Sequence, residues 1–143
     1  FTEWQQMMQD LNLDYTLFFQ QIERPISEIK TEDFKDSFYR NLSENELKKL
    51  SNFIERYQAR KLKNKISETE SLELMSKTNP KFILRNYLVF EAIQDTENGN
   101  YEMFFKLKKA LENPYENLYP EFNKKRPSKY DNQTGSSQLS CSS

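Results

Sequence analysis

The chain ends in "GSSQLSCSS", and its most reactive side chain is there: Cys141 is the single cysteine among 143 residues. A thiolate attacks disulfides and binds soft metals. One cysteine cannot close an internal disulfide, however, and with no histidine in the chain there is no Cys/His zinc set. Serines flank Cys141 and the nearest apolar residue is Leu139, so packing is a poor explanation. The bland reading is a cloning remnant or an incidental surface residue, and what a lone thiol does there stays open at this point.

The other reactive candidates are weaker. Without histidine, imidazole catalysis is excluded. Glu68 and Glu70 form a carboxylate pair, but they stand in the highly charged "SETESLE", where a solvated helix face accounts for them. The basic run "ARKLKNK" has the composition of a phosphate contact, yet the acidic segment follows it at once, and a solvated helix end is the better reading. No Gly-rich phosphate loop, kinase-type lysine with a metal-binding triplet, Ser/His/Asp set or HExxH occurs. Taken alone, the chain shows no catalytic residue and no metal site.

Lys and Arg number 21 against 22 Asp and Glu, so a net charge of -1 provides no global field to draw in nucleic acid or an anionic membrane. The sequence has no signal-peptide pattern and no apolar run long enough to cross a bilayer, which points to a soluble intracellular protein. It opens at Phe1 directly into the helical pattern "FTEWQQMMQDL" and reads as a piece of something longer.

The elements that would position any site are helical. Only 2 glycines occur, and 11 Phe, 8 Tyr and 1 Trp carry a burial that a hydrophobic fraction of 36% would otherwise leave thin. Phe1, Trp4, Met8 and Leu11 recur at helical spacing, and Asp14 stands where a cap would start "YTLFFQQI". After Pro25, Ile26, Ile29, Phe34 and Phe38 face inward from short turns. Ser43 with Glu46, and Ser67 with Glu70, have capping-box spacing. The first box opens a helix with Leu47, Leu50, Ile54 and Tyr57 as its apolar stripe. Asn79 as cap and Pro80 at the first turn predict a central, many-sided helix over Lys81 to Asp95, burying Phe82, Leu84, Tyr87, Leu88, Phe90 and Ile93. Asn98 and Gly99 end it. Asn100 recaps, and Tyr101 to Glu112 returns as the second arm of an αα-hairpin with Phe104, Leu107 and Leu111 inward. From Pro114 no periodicity survives, although Tyr115, Tyr119, Phe122 and Tyr130 can pin parts of the segment to a surface. The expected fold is all-α: an irregular helical domain over residues 1–113 with a central αα-hairpin, then a largely non-regular tail over 114–143.

Read in order, "NPKFILRNYLVFEAI", "GNYEMFFKLKKALENPYE", "RPSKY" and a terminal "SCSS" resemble the C-terminal end of the selenoprotein O family. That family typically shows an Asn-Pro, a Leu-Arg-Asn a few residues on, an Asn-Pro-Tyr or Asn-Pro-Phe after the next helix, an Arg-Pro-Pro-x-Trp, and a Cys or selenocysteine near the end. Asn79, Pro80, Leu84, Arg85, Asn86, Asn113, Pro114, Tyr115, Arg126, Pro127 and Cys141 match those positions. Ser128 replaces the second proline and Tyr130 the tryptophan. "DYTLFF" near the start also resembles the family, so the likeness spans the chain.

The resemblance implies a parent with a kinase-like core, a pseudokinase fold that binds ATP and Mg²⁺ and transfers AMP to Ser, Thr or Tyr hydroxyls of protein substrates. Its nucleotide and metal ligands lie upstream, so no catalytic residue carries over to this chain, and the fragment itself is expected to bind no cofactor. The partner it implies is the kinase-like core of the same parent. Cys141 would be the family's redox thiol, able to pair with a core cysteine. The motif residues Asn79 to Pro127 read as structural. The resemblance implies a cytoplasmic location for a bacterial-type member and a mitochondrial one for eukaryotic members. The alternative is a stand-alone helical module that binds another protein through its aromatic surface.

Overall fold

The computed structural model describes residues 2–134; the expectations that fall on Phe1 and Cys141 lie outside the described residues. Among these residues there are six α-helices: α1 Thr2–Asp10, α2 Tyr15–Gln21, α3 Glu44–Lys61, α4 Glu68–Thr78, α5 Asn86–Glu97 and α6 Glu102–Glu112. Short 3-10 turns supplement them, and the described residues include no strand. The chain forms two compact units, Phe1–Asn79 and Pro80–Ser143.

In the first unit the local signals act as read. Asp14 caps α2, its Oδ1 accepting from the Leu17 amide at 3.0 Å and its Oδ2 from the Tyr39 hydroxyl at 2.7 Å. Asn12 takes the left-handed φ of 51° that lets the chain turn from α1 into α2, a conformation Asn tolerates better than most residues. Both capping boxes form: Ser43 and Glu46 exchange bonds at the start of α3, and Ser67 and Glu70 at the start of α4. Met8, Leu11, Phe18, Ile22, Ile29, Phe34, Leu50, Phe53 and Ile54 share one buried cluster, with Trp4 and Tyr57 packed against it. The α3 stripe differs in one position. Leu47 is exposed and Phe53 takes its place, because the inward face follows Leu50, Phe53, Ile54 and Tyr57 at steps of three and four.

The second unit is built on the α5–α6 hairpin. Gly99 at φ +82° closes the turn, as the Asn-Gly pair predicts, and Asn100 Oδ1 accepts from the Glu102 amide to start α6. Two expectations are corrected. The helix predicted from Lys81 begins only at Asn86. Asn79 is the C-cap of α4, its amide bonded to Met75 O at 2.8 Å, and as the residue before Pro80 it is held extended at φ -92°, ψ 107°. The Asn-Pro pair therefore terminates one helix instead of opening the next. Likewise Phe104 is not inward. The buried side of α6 is Leu107 and Ala110 with Met103 beside them, facing Tyr87, Leu88 and Ala92 of α5 in one cluster. The described residues after Asn113, 114–134, contain no α-helix, but Phe122 and Tyr130 sit in short 3-10 turns and are buried in that same core.

Candidate functional site

The motif residues of the second unit are held together by the backbone. The amides of Lys81 and Phe82 both donate to the carbonyl of Pro114, at 2.7 and 2.9 Å, which joins the segment after the first Asn-Pro to the second Asn-Pro. Asn113 ends α6, its side-chain amide donating to Lys109 O at 3.0 Å. Phe82 is buried 6.2 Å from the Phe122 ring. Arg126 binds Asp131 Oδ1 through Nε and Nη2 at 3.2 and 2.9 Å, closing the turn that Pro127 opens. That turn delivers Tyr130, whose ring stacks on Tyr87 and whose hydroxyl donates to Glu91. Lys129 lies 4.6 Å from the Tyr130 ring centroid and 3.5 Å from Glu91, and its pKa is raised by these contacts, the hydrogen bond to Tyr130 first. Burial, then the bond to Glu91, pushes the Tyr130 hydroxyl up. Arg85 is half-buried just before α5, and Asn86, Leu84 and Tyr115 are exposed. Arg126, Asp131, Lys129 and Tyr130 with Tyr87 and Glu91 thus form a clasp between residues 126–131 and α5.

Beside the clasp, α5 and α6 leave an apolar face uncovered. A cavity of about 640 Å³ is lined by Leu84, Val89, Ile93, Phe104, Leu107 and Leu111 among others. Ile93 is 53% exposed, Phe104 50%, Leu111 46% and Leu84 42%. Sequence reasoning placed these side chains in the core. The signal against it was the pair of small residues Ala92 and Ala110, both buried, which mark where this hairpin is close-packed and leave the larger neighbours outside.

The first unit carries a second concavity, about 630 Å³, between α1, α3 and α4. Trp4, Phe19, Phe53 and Tyr57 line it, with Trp4 stacked on Phe19 at 5.5 Å and edge-on to Phe53 at 4.6 Å and Tyr57 at 5.5 Å. Arg56, Arg60 and Lys61 border it. Burial pushes the Tyr57 hydroxyl up to about 12 and holds the Lys61 ammonium below its ordinary value, against the weaker opposing effect of Glu68.

Among the described residues no group of three or more His, Cys, Asp or Glu is placed to hold a metal ion, and no helix is long and apolar enough to cross a membrane.

Comparison with known proteins gives a consistent result. Residues 1–112 match the family model described as protein adenylyltransferase SelO. The chain is 33% identical to the protein nucleotidyltransferase YdiU of Cytophaga hutchinsonii over 98% of its own length and 28% of the relative's. It is 30% identical to that of Tolumonas auensis over 96% of its length and 27% of the relative's, and 34% identical to that of Nitrosospira multiformis over 77% and 20%. The chain thus spans under a third of these relatives. No solved structure matches it.

Proposed function

The chain belongs to the protein adenylyltransferase SelO family, and from that premise we propose that it is the C-terminal helical part of a larger enzyme that transfers AMP from ATP to Ser, Thr or Tyr hydroxyls of proteins. The observation that carries this reading is the family match over residues 1–112. In this reading ATP and Mg²⁺ are held by a kinase-like core elsewhere in the parent, in keeping with the described residues, none of which form a group of three or more His, Cys, Asp or Glu placed to hold a metal ion. The part played by this chain is to support that core. The uncovered face of Leu84, Ile93, Phe104 and Leu111 has the character of a surface that the rest of such a parent would cover, because a contiguous apolar patch left to water is unfavourable.

Hydrogen exchange on the full-length protein and on this chain tests the reading. Amides of α5 and α6 should be more protected in the parent; equal protection in both would mean that the face serves a different protein, as in a stand-alone interaction module.

Cys141 enters the same proposal as a tethered thiol that forms a disulfide with a core cysteine. Oxidation of the two thiols would release two protons and pass two electrons to a thiol-disulfide oxidant. Non-reducing peptide mapping of the oxidised parent should find Cys141 bridged. Finding it unbridged while other cysteines are paired would remove the redox role and leave the family assignment untouched.

A further inference from the structure

The concavity of the first unit has no part in the function proposed above. Its floor is aromatic, with the partly buried Trp4 ring at its centre, and Leu74 stands 56% exposed on the α4 wall. Its border is cationic. Arg56 and Arg60 are one turn apart on α3, about 6 Å along the axis, and Lys61 follows directly. The one acidic lining residue, Glu3, is engaged with Arg56 at 2.5 Å. Arg60 donates to a neutral partner, Asn64 Oδ1, at 2.7 Å, which occupies only part of a five-donor guanidinium. Lys61 directs its ammonium inward over apolar groups, 3.4 Å from Met75 Sδ and 5.8 Å from the Tyr57 ring centroid.

We propose that this groove docks an acidic segment of a partner protein, with an aromatic or aliphatic side chain seated beside Trp4 and flanking carboxylates on Arg60 and Lys61. Charge complementarity selects the occupant: Arg56 and Arg60 share one edge of α3, Lys61 lies about 100° further round the helix, and all three line the same groove as Trp4 and Phe19, so an acidic segment with an apolar side chain matches both the cationic border and the aromatic floor. Both glycines of the chain, Gly99 and Gly135, lie outside residues 1–79 in the sequence, and a glycine-rich phosphate loop is thus not available there. The proposal stands independently of the family reading.

Trp4 is the chain's single tryptophan and a built-in reporter. The 143-residue chain is titrated with a synthetic 12-residue peptide of Glu alternating with Leu around one Phe, and with its Gln-for-Glu counterpart, following Trp4 fluorescence. The acidic peptide should give a saturable change, with affinity about tenfold or more above the Gln peptide and falling as salt is added. The double variant Arg60→Gln/Lys61→Gln should lose about tenfold in affinity for the acidic peptide. Leu74→Glu, which places a like charge on the wall, should weaken it as well, and unchanged thermal unfolding of either variant shows that the fold is kept. Equal binding of the two peptides, no saturable change up to about 1 mM, or displacement of the peptide by ATP would overturn the proposal. So would a full-length parent in which the peptide no longer binds, since the groove would then be covered by the parent itself.

Discussion

Asp14 joins three segments through one carboxylate: it caps α2, accepts from Tyr39, and its own amide donates to Ser37 O at 2.7 Å. Because it is buried, removing it leaves donors without acceptors where water cannot replace them. Asp14→Ala should cost about 1–3 kcal/mol in urea unfolding, and Asp14→Asn less, since the amide oxygen still caps. A loss no larger than for an exposed aspartate would contradict the cap. Glu46 makes a prediction in pH. Hydrogen bonds from Arg40, then from Ser43, hold its carboxyl well below the usual carboxylate range, and Ser43 also engages it through its hydroxyl. Glu70 shifts the same way through Ser67. A depressed folded pKa means that the stabilisation is fully present above the unfolded carboxylate value and is lost as pH falls through the folded one. Carbon-detected NMR should find Glu46 ionised at pH values where a free glutamate is mostly protonated, and Glu46→Gln should flatten the acid limb of α3 unfolding. Titration of Glu46 at the ordinary value would contradict the box-and-bridge geometry.

The helix starts of α3 and α4 were legible in the sequence because each is decided by atoms three residues apart, Ser43 with Glu46 and Ser67 with Glu70. The start of α5 was not. The same Asn-Pro pair suits a helix end or a helix start, and what decides is the carbonyl of Pro114, which takes the Lys81 and Phe82 amides from more than thirty positions away in sequence. The facing of α6 failed for a related reason: it carries two adjacent apolar stripes, and periodicity alone does not say which one α5 covers. The structure makes the choice testable. Leu107→Ala should destabilise the unit by about 2–5 kcal/mol, whereas the half-exposed Phe104→Ala should cost under about 1 kcal/mol. A larger loss at Phe104 than at Leu107 would mean that the opposite stripe is buried. The candidate site was legible only as a motif. The sequence located Asn113, Pro114, Arg126 and Pro127, but their joint action in clasping the tail to α5 depends on the distant partners Phe82, Tyr87 and Glu91.

At the scale of the molecule, each of the two units has its own buried cluster, and the second holds Tyr130 of the tail against Tyr87 of α5. Tyr130→Phe keeps the ring on Tyr87 but removes the bond to Glu91, and should raise hydrogen exchange in residues 120–134 while leaving α6 protected; unchanged exchange there would show that the ring alone holds the tail. The central claim is that this chain supports an AMP-transferring core without holding the chemistry itself. It is tested most directly by incubating equal amounts of the chain and of the full-length protein with ATP labelled at the α-phosphate, Mg²⁺ and a protein acceptor. The account predicts label on protein with the full-length enzyme and none with the chain alone, and stoichiometric adenylylation by the isolated chain would contradict it.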